Sequence, residues 1–171
     1  MGVTAYHTGF VVSDLARSVK FYTEGIGLEL DVEFKASGPG LEQVVGYEGV
    51  VLNMAMLVGD DGQLLELLNY ENPPTQPRQE DQQYQRYWAG AAHLGFFVDN
   101  AQETFDRCVA LGGKILNPLV EALPGLLACY MQDPDGNWFE IVQDDLHNRE
   151  PFVVRQNRTI PTHLPSTGLI K

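Results

Sequence analysis

His7-Thr8-Gly9-Phe10-Val11-Val12 and His93-Leu94-Gly95-Phe96-Phe97-Val98 repeat each other without a gap, and their reading decides the fold. At the same offset Ser18 meets Thr104, Val19 meets Phe105 and Gly27 meets Gly113, so the likeness runs through a helix to its exit. Each half then closes on an apolar strand with a single glutamate. In the first half this is Gln63-Leu64-Leu65-Glu66-Leu67-Leu68, and in the second Asn137-Trp138-Phe139-Glu140-Ile141-Val142. A module has been duplicated, and each copy carries one histidine and one carboxylate at matching places.

Working outward, residues 4–12 alternate as a strand does. Ser13 or Asp14 caps a helix that carries Leu15, Val19, Phe21 and Tyr22 and ends at Gly25 and Gly27. Strands follow near 28–34, 41–46, 50–58 and 63–70. Ser37-Gly38-Pro39-Gly40 breaks the first of these, and Gly59-Asp60-Asp61-Gly62 turns between the last two. In the second half, residues 91–98 form a strand. Asp99 or Asn100 caps a helix with Ala101, Phe105, Cys108, Val109 and Leu111, which Gly112-Gly113 ends. A short strand at 114–116 precedes a hairpin of 125–132 and 137–143 around Asp133-Pro134-Asp135-Gly136, a strong turn sequence. The extra length of the first half, mainly 35–50, reads as an inserted loop. The prediction is an α+β fold of paired βαβββ modules. The first spans 1–72, a proline-rich linker 73–90, the second module 91–145 and an extended tail 146–171.

The chain has 171 residues, enough for one domain or two small fused modules. Its formal charge is −12, so it repels phosphate backbones and nucleic acid is not an expected partner. No window approaches the roughly 20 apolar residues of a membrane helix, and no basic-then-apolar signal opens the chain, which predicts a cytoplasmic protein. Cys108 and Cys129 lie in a helix pattern and a strand pattern and read as small buried hydrophobes.

A lone strand histidine reads as a core residue bonded to backbone. Two at equivalent positions, with two matching glutamates, read as ligands. Glu66 lies among leucines and Glu140 between Phe139 and Ile141, where an unpaired carboxylate is expensive to bury. Imidazole with carboxylate suits nickel, zinc, cobalt, manganese or iron. Tyr70, Trp88, Tyr130 and Trp138 could line an aromatic cavity, though core or interface packing is the commoner role. Asp133 and Asp135 read as turn formers, and His147 and His163 as solvated tail residues.

At these residues the chain resembles the vicinal oxygen chelate superfamily, which includes glyoxalase I, extradiol dioxygenases, methylmalonyl-CoA epimerase and the fosfomycin and bleomycin resistance proteins. The resemblance covers about 4–145. It is carried by His7 to Leu15 with Ser18, Phe21 and Tyr22, and more specifically by Asp133-Pro134-Asp135-Gly136-Asn137-Trp138-Phe139-Glu140. It implies modules curling into an open barrel-like sheet with one divalent metal ion, ligated by His7, Glu66, His93 and Glu140. Two histidines with two glutamates resemble bacterial glyoxalase I. There a glutamate, here Glu140 or Glu66, moves a proton next to a metal-held carbonyl by way of an enediolate. The same resemblance admits a ferrous extradiol-type dioxygenase, an epimerase, or a non-catalytic drug-binding protein. It implies a small-molecule substrate and a homodimer. One position departs from the pattern. Bacterial glyoxalase I usually has an arginine four residues after the first ligand, facing a glutathione carboxylate, and here that position is Val11. Arg17, Lys20, Arg86, Arg155 and Arg158 are the cations that could replace it.

Overall fold

A computed structural model describes residues 2–3, 5–78 and 85–145. The predicted tail, with His147, His163, Arg155 and Arg158, lies outside the described residues. The first module runs β1 (His7–Val11), α1 (Leu15–Lys20), β2 (Glu29–Ser37), α2 (Pro39–Val45), β3 (Val51–Val58) and β4 (Leu64–Asn72). The second runs β5 (Leu94–Phe97), α3 (Ala101–Ala110), β6 (Lys114–Ile115), β7 (Val120–Leu123), β8 (Leu126–Gln132) and β9 (Trp138–Asp144). The fold is mixed α+β, as the sequence predicts. The strands make two open sheets, ordered β1-β4-β3-β2 and β5-β9-β8-β6 with β7 beside β8, and not one closed barrel.

The repeat is real in three dimensions. Asp14 caps α1 by accepting from the Arg17 N–H, and Asn100 caps α3 by accepting from the Glu103 N–H, which decides between the paired cap candidates. α1 continues into a π-helical turn over Phe21–Ile26 that leaves through Gly27 at a φ of 103°. In each module the first strand pairs in parallel with the last, β1 with β4 and β5 with β9, while the other neighbours are antiparallel.

Two expectations need correction. The stretch read as a strand near 41–46 is instead helix α2 with its C-cap Gly46, and the presumed loop at 35–50 opens with the end of β2. Pro39 is pre-set for a first helical turn, and Leu41 and Val45, four residues apart, both pack on the Val50, Leu52 and Met54 cluster. That spacing serves a helix. β7 is a strand the periodicity did not reveal; it is four residues long and pairs only with β8.

One face of each sheet joins a common core. Val12, Phe21, Tyr22, Leu65 and Leu67 of the first module pack with Val98, Cys108, Met131, Phe139 and Ile141 of the second. Phe21 and Phe139 meet edge to face with centroids 5.7 Å apart. Burial holds the Cys108 and Cys129 thiols protonated, pushing them up to about 12 and about 11, so both are inert packing groups as predicted.

The Asp133–Asn137 turn does more than reverse the chain. Tyr22 donates its hydroxyl to Asp133 Oδ2 at 3.0 Å across the module boundary. Asp133 Oδ1 accepts from the Asp135 and Asn137 N–H groups, and Asn137 Nδ2 donates both to Asp133 and to the Val11 carbonyl. Arg17 grips Asp135 at 2.8 and 2.9 Å. The hairpin signature is therefore also the clamp between the modules.

Removing the hydroxyl with Tyr22→Phe is expected to cost about 1.5–3 kcal/mol, read by denaturant unfolding, because it strips a donor from a buried carboxylate. Burial is the chief reason the Asp133 carboxyl is raised above its usual range, with the hydrogen bonds opposing. A raised folded value means that the stability from this group is full below the unfolded pKa and is lost as pH rises through the folded one. The stability advantage of wild type over Asp133→Asn should therefore shrink as pH is raised above the ordinary aspartate value of about 4.

Candidate metal centre

The parallel pairing of first and last strands builds two matching half-sites. Gly9 stands opposite Glu66, and Gly95 opposite Glu140. Residues in register share a face of the sheet, and so do residues two apart. His7 thus lies on the face of Glu66, with Nε2 to Oε2 at 3.3 Å, and His93 on that of Glu140, at 3.7 Å. The glycines border the carboxylates at ordinary contact distance. A Cβ at Gly9 would come within 3.6 Å of Glu66 Oε2, and one at Gly95 within 3.9 Å of Glu140 Oε2. The repeated His-x-Gly therefore lies beside a glutamate of the last strand in both modules.

Both carboxylates are largely shielded, with side chains 18% and 25% exposed. Each has an imidazole beside it. Two ligands of one ion with bonds of roughly 2.0–2.2 Å stand about 3.0–3.4 Å apart, so each pair has the donor types and near-spacing that a divalent ion takes. The four residues are not brought together in one chain. Among the described residues no group of three or more His, Cys, Asp or Glu side chains lies close enough to hold a metal.

The half-sites differ chemically. Opposite Glu66 on β3 is Met56; opposite Glu140 on β8 is Tyr130. The Tyr130 hydroxyl lies 3.3 Å from His93 Nε2, and its ring meets the imidazole at 4.9 Å. Burial first, then the charge of Glu140, raises the phenol above its usual range, so it stays protonated at neutral pH. Arg86, from the linker, stacks its guanidinium 4.4 Å from the Tyr130 ring centroid and 5.1 Å from that of Trp138. Arg17 is bound to Asp135, and Lys20 stands 3.9 Å from Glu24. Of the cations named from sequence that are described, Arg86 is the one that reaches a half-site's aromatic wall. Tyr70 packs instead on the α2 cluster, and Trp88 is half exposed. Met56 and the stacking of Arg86 were not found from sequence. Strand register would have pointed to Met56, but no periodic signal covers Arg86.

A separate cavity of about 600 Å³ opens between the modules, lined by Leu64, Gly95, Asn100 and Arg107 among others, and includes none of the four site residues. Its arginine is already paired with Glu103 at 2.7 Å. Among the described residues no helix is long and apolar enough to cross a membrane.

A family profile for the Glyoxalase/Bleomycin resistance protein/Dioxygenase superfamily matches residues 4–141. The uncharacterized protein YwbC of Bacillus subtilis (strain 168) is 23% identical over 138 residues, covering 80% of this chain and 94% of that protein. The crystal structure of a glyoxalase family protein from Bacillus cereus superposes with a TM-score of 0.75 at 22% identity, covering 83% of this chain and 94% of the other. Glyoxalase I from Zea mays gives a TM-score of 0.54 at 22% identity, over 80% of this chain and 43% of the maize chain. At these identities the structural likeness speaks for the fold alone.

The packing around the two glycines can be tested without any metal. A Cβ at Gly9 meets Leu68 Cδ1 at 3.2 Å, so Gly9→Val should cost about 1–3 kcal/mol through crowding, measured by unfolding. Gly95→Ala, whose nearest contact is ordinary, should change stability by less than about 1 kcal/mol.

Proposed function

This chain belongs to the Glyoxalase/Bleomycin resistance protein/Dioxygenase superfamily, and from that premise we propose that it is a divalent-metal-dependent lyase or isomerase of glyoxalase I type. The observation that carries this reading is the equivalence of the two half-sites. His7 pairs with Glu66 as His93 pairs with Glu140, each over a glycine of the facing strand. The extradiol reading needs one carboxylate to be spare, whereas Glu66 and Glu140 each lie beside an imidazole. A simple drug binder has no use for two histidines in contact with two shielded carboxylates.

The four ligands are drawn from two copies of the chain. The face that bears His7 and Glu66 also carries Val11, Val32 and Phe34, which are 48%, 43% and 43% exposed. The face of His93 and Glu140 carries Phe97 and Val120 at 46% and 49%. Apolar faces this open are covered by a partner. A homodimer that sets the first face of one copy against the second face of the other brings a His7–Glu66 pair to a His93–Glu140 pair, twice.

His7, Glu66, His93 and Glu140 would hold the ion, which would supply Lewis acidity to a bound small substrate. Glu140 removes the proton from the carbon beside the carbonyl and returns it to the neighbouring carbon, and Glu66 faces the substrate from the other half-site. The protonated Tyr130 phenol orients the imidazole and carboxylate beside it. The apolar surround lowers the local dielectric and keeps water from competing for the proton.

Metal analysis of protein purified without chelator should find nickel, zinc, cobalt or manganese near one ion per chain. Glu66→Gln should weaken retention by about tenfold or more. Iron that survives the substitution would move the assignment to the oxygenase, and no metal in a folded protein would leave the binding protein. Pooling His7→Ala with His93→Ala chains after unfolding and refolding should restore one intact site in each mixed dimer. Metal binding and solvent-deuterium exchange into a 2-hydroxycarbonyl probe should return together. No recovery would mean that each site lies within one chain.

A further inference from the structure

We propose that Arg86 sets the charge of the substrate: it binds a carboxylate carried a few bonds from the oxygens that His93 and Glu140 face. The inference rests on the metal-site reading above for the position of the reacting oxygens, and on separate observations for Arg86. The chain carries 23 acidic and 11 basic residues, and several of the described cations are held by a carboxylate. Arg17 holds Asp135, Lys35 holds Glu71 and Arg107 holds Glu103. Arg86, among the described residues, forms no ion pair. Its Nη2 donates to the Asn117 side-chain oxygen at 3.3 Å, and its guanidinium carbon lies over the Tyr130 and Trp138 rings.

A guanidinium stacked on aromatic rings keeps its charge and fixes its plane, and its N–H donors point outward from the edge. One donor is engaged by Asn117, and the remaining fork matches the two oxygens of a carboxylate. Tyr130 touches both Arg86 and His93, so one side chain links the cation to the second half-site. The indole Nε1 of Trp138 is buried with no hydrogen-bond partner among the described residues. The wall around the fork is aromatic. The formal charge of −12 works against multiply charged ligands at long range. A monocarboxylate with vicinal oxygens satisfies each of these conditions. Val11 leaves the first half-site without the cation that bacterial glyoxalase I carries there, and the linker supplies one from the other side.

The test uses chelator-stripped protein, so that a metal cannot bind the probe. Trp88→Phe leaves Trp138, stacked on Arg86, as the one tryptophan reporter. Benzoate and its neutral isostere benzamide are titrated against Trp138 emission. Benzoate should saturate and benzamide should bind at least about tenfold more weakly. Arg86→Gln should bring benzoate down to the benzamide level, and Arg86→Lys, with the charge but not the fork, should fall between. Equal binding of the two probes, no saturable benzoate signal, or full benzoate binding by Arg86→Gln would overturn the proposal. So would variants that change only the melting temperature, because Arg86 would then be a strap for the linker. Metal content before stripping is read on the same preparations. Loss of the metal reading there leaves the benzoate result standing, and the reverse also holds.

Discussion

Parallel pairing of the first strand of each module with its last is the constraint on which the rest depends. It fixes Gly9 against Glu66 and Gly95 against Glu140, and so turns residues far apart in sequence into neighbours on one face. A register slip by one residue would send the glutamate into the shared core and a leucine or isoleucine to the half-site. The apolar neighbours of each glutamate oppose that slip. Leu65 and Leu67 are almost wholly buried, as are Phe139 and Ile141. The hydrophobic effect thus holds the carboxylates in place without contacting them.

The second constraint is the seam between modules. The cores of both sheets are merged through α1, its π-helical turn and α3, and Asp133 is locked there by Tyr22 and Asn137. Because the core sides face each other, the half-sites face away. That arrangement explains why four ligands read from one sequence appear as two separate pairs, and why a partner copy enters the functional proposal.

Much of this was legible in sequence because it rests on local rules. The repeat gave the module, the alternation gave β1, β3, β4, β8 and β9, and short polar residues gave both helix caps. The pairing of His7 with Glu66 and of His93 with Glu140 also follows from alternation once the strands are aligned. α2 was misread because Leu41, Val44 and Val45 fit a short strand as well as a helix; contact with Leu52 and Met54 decided between them. β7 is too short for a period. The second role of Asp133, beyond its turn, was hidden because its partner Tyr22 lies in the other module. Arg86 was invisible as anything more than a loose cation, since stacking on Tyr130 and Trp138 is a tertiary fact.

Duplication supplied two His–Glu pairs, but divergence has made them unequal. The first half-site faces Glu66 with the thioether of Met56, which neither donates nor holds charge. The second faces Glu140 with the Tyr130 phenol and brings Arg86 above it. A substrate anchored by a carboxylate at Arg86 is held from the second half-site, so the distance that varies least is the one to Glu140. Proton transfer demands a short and constant distance between base and carbon. On this reading Glu140, not its twin, is the base, and Glu66 serves chiefly as a ligand. The chemical asymmetry across a nearly symmetric backbone is what assigns the two roles.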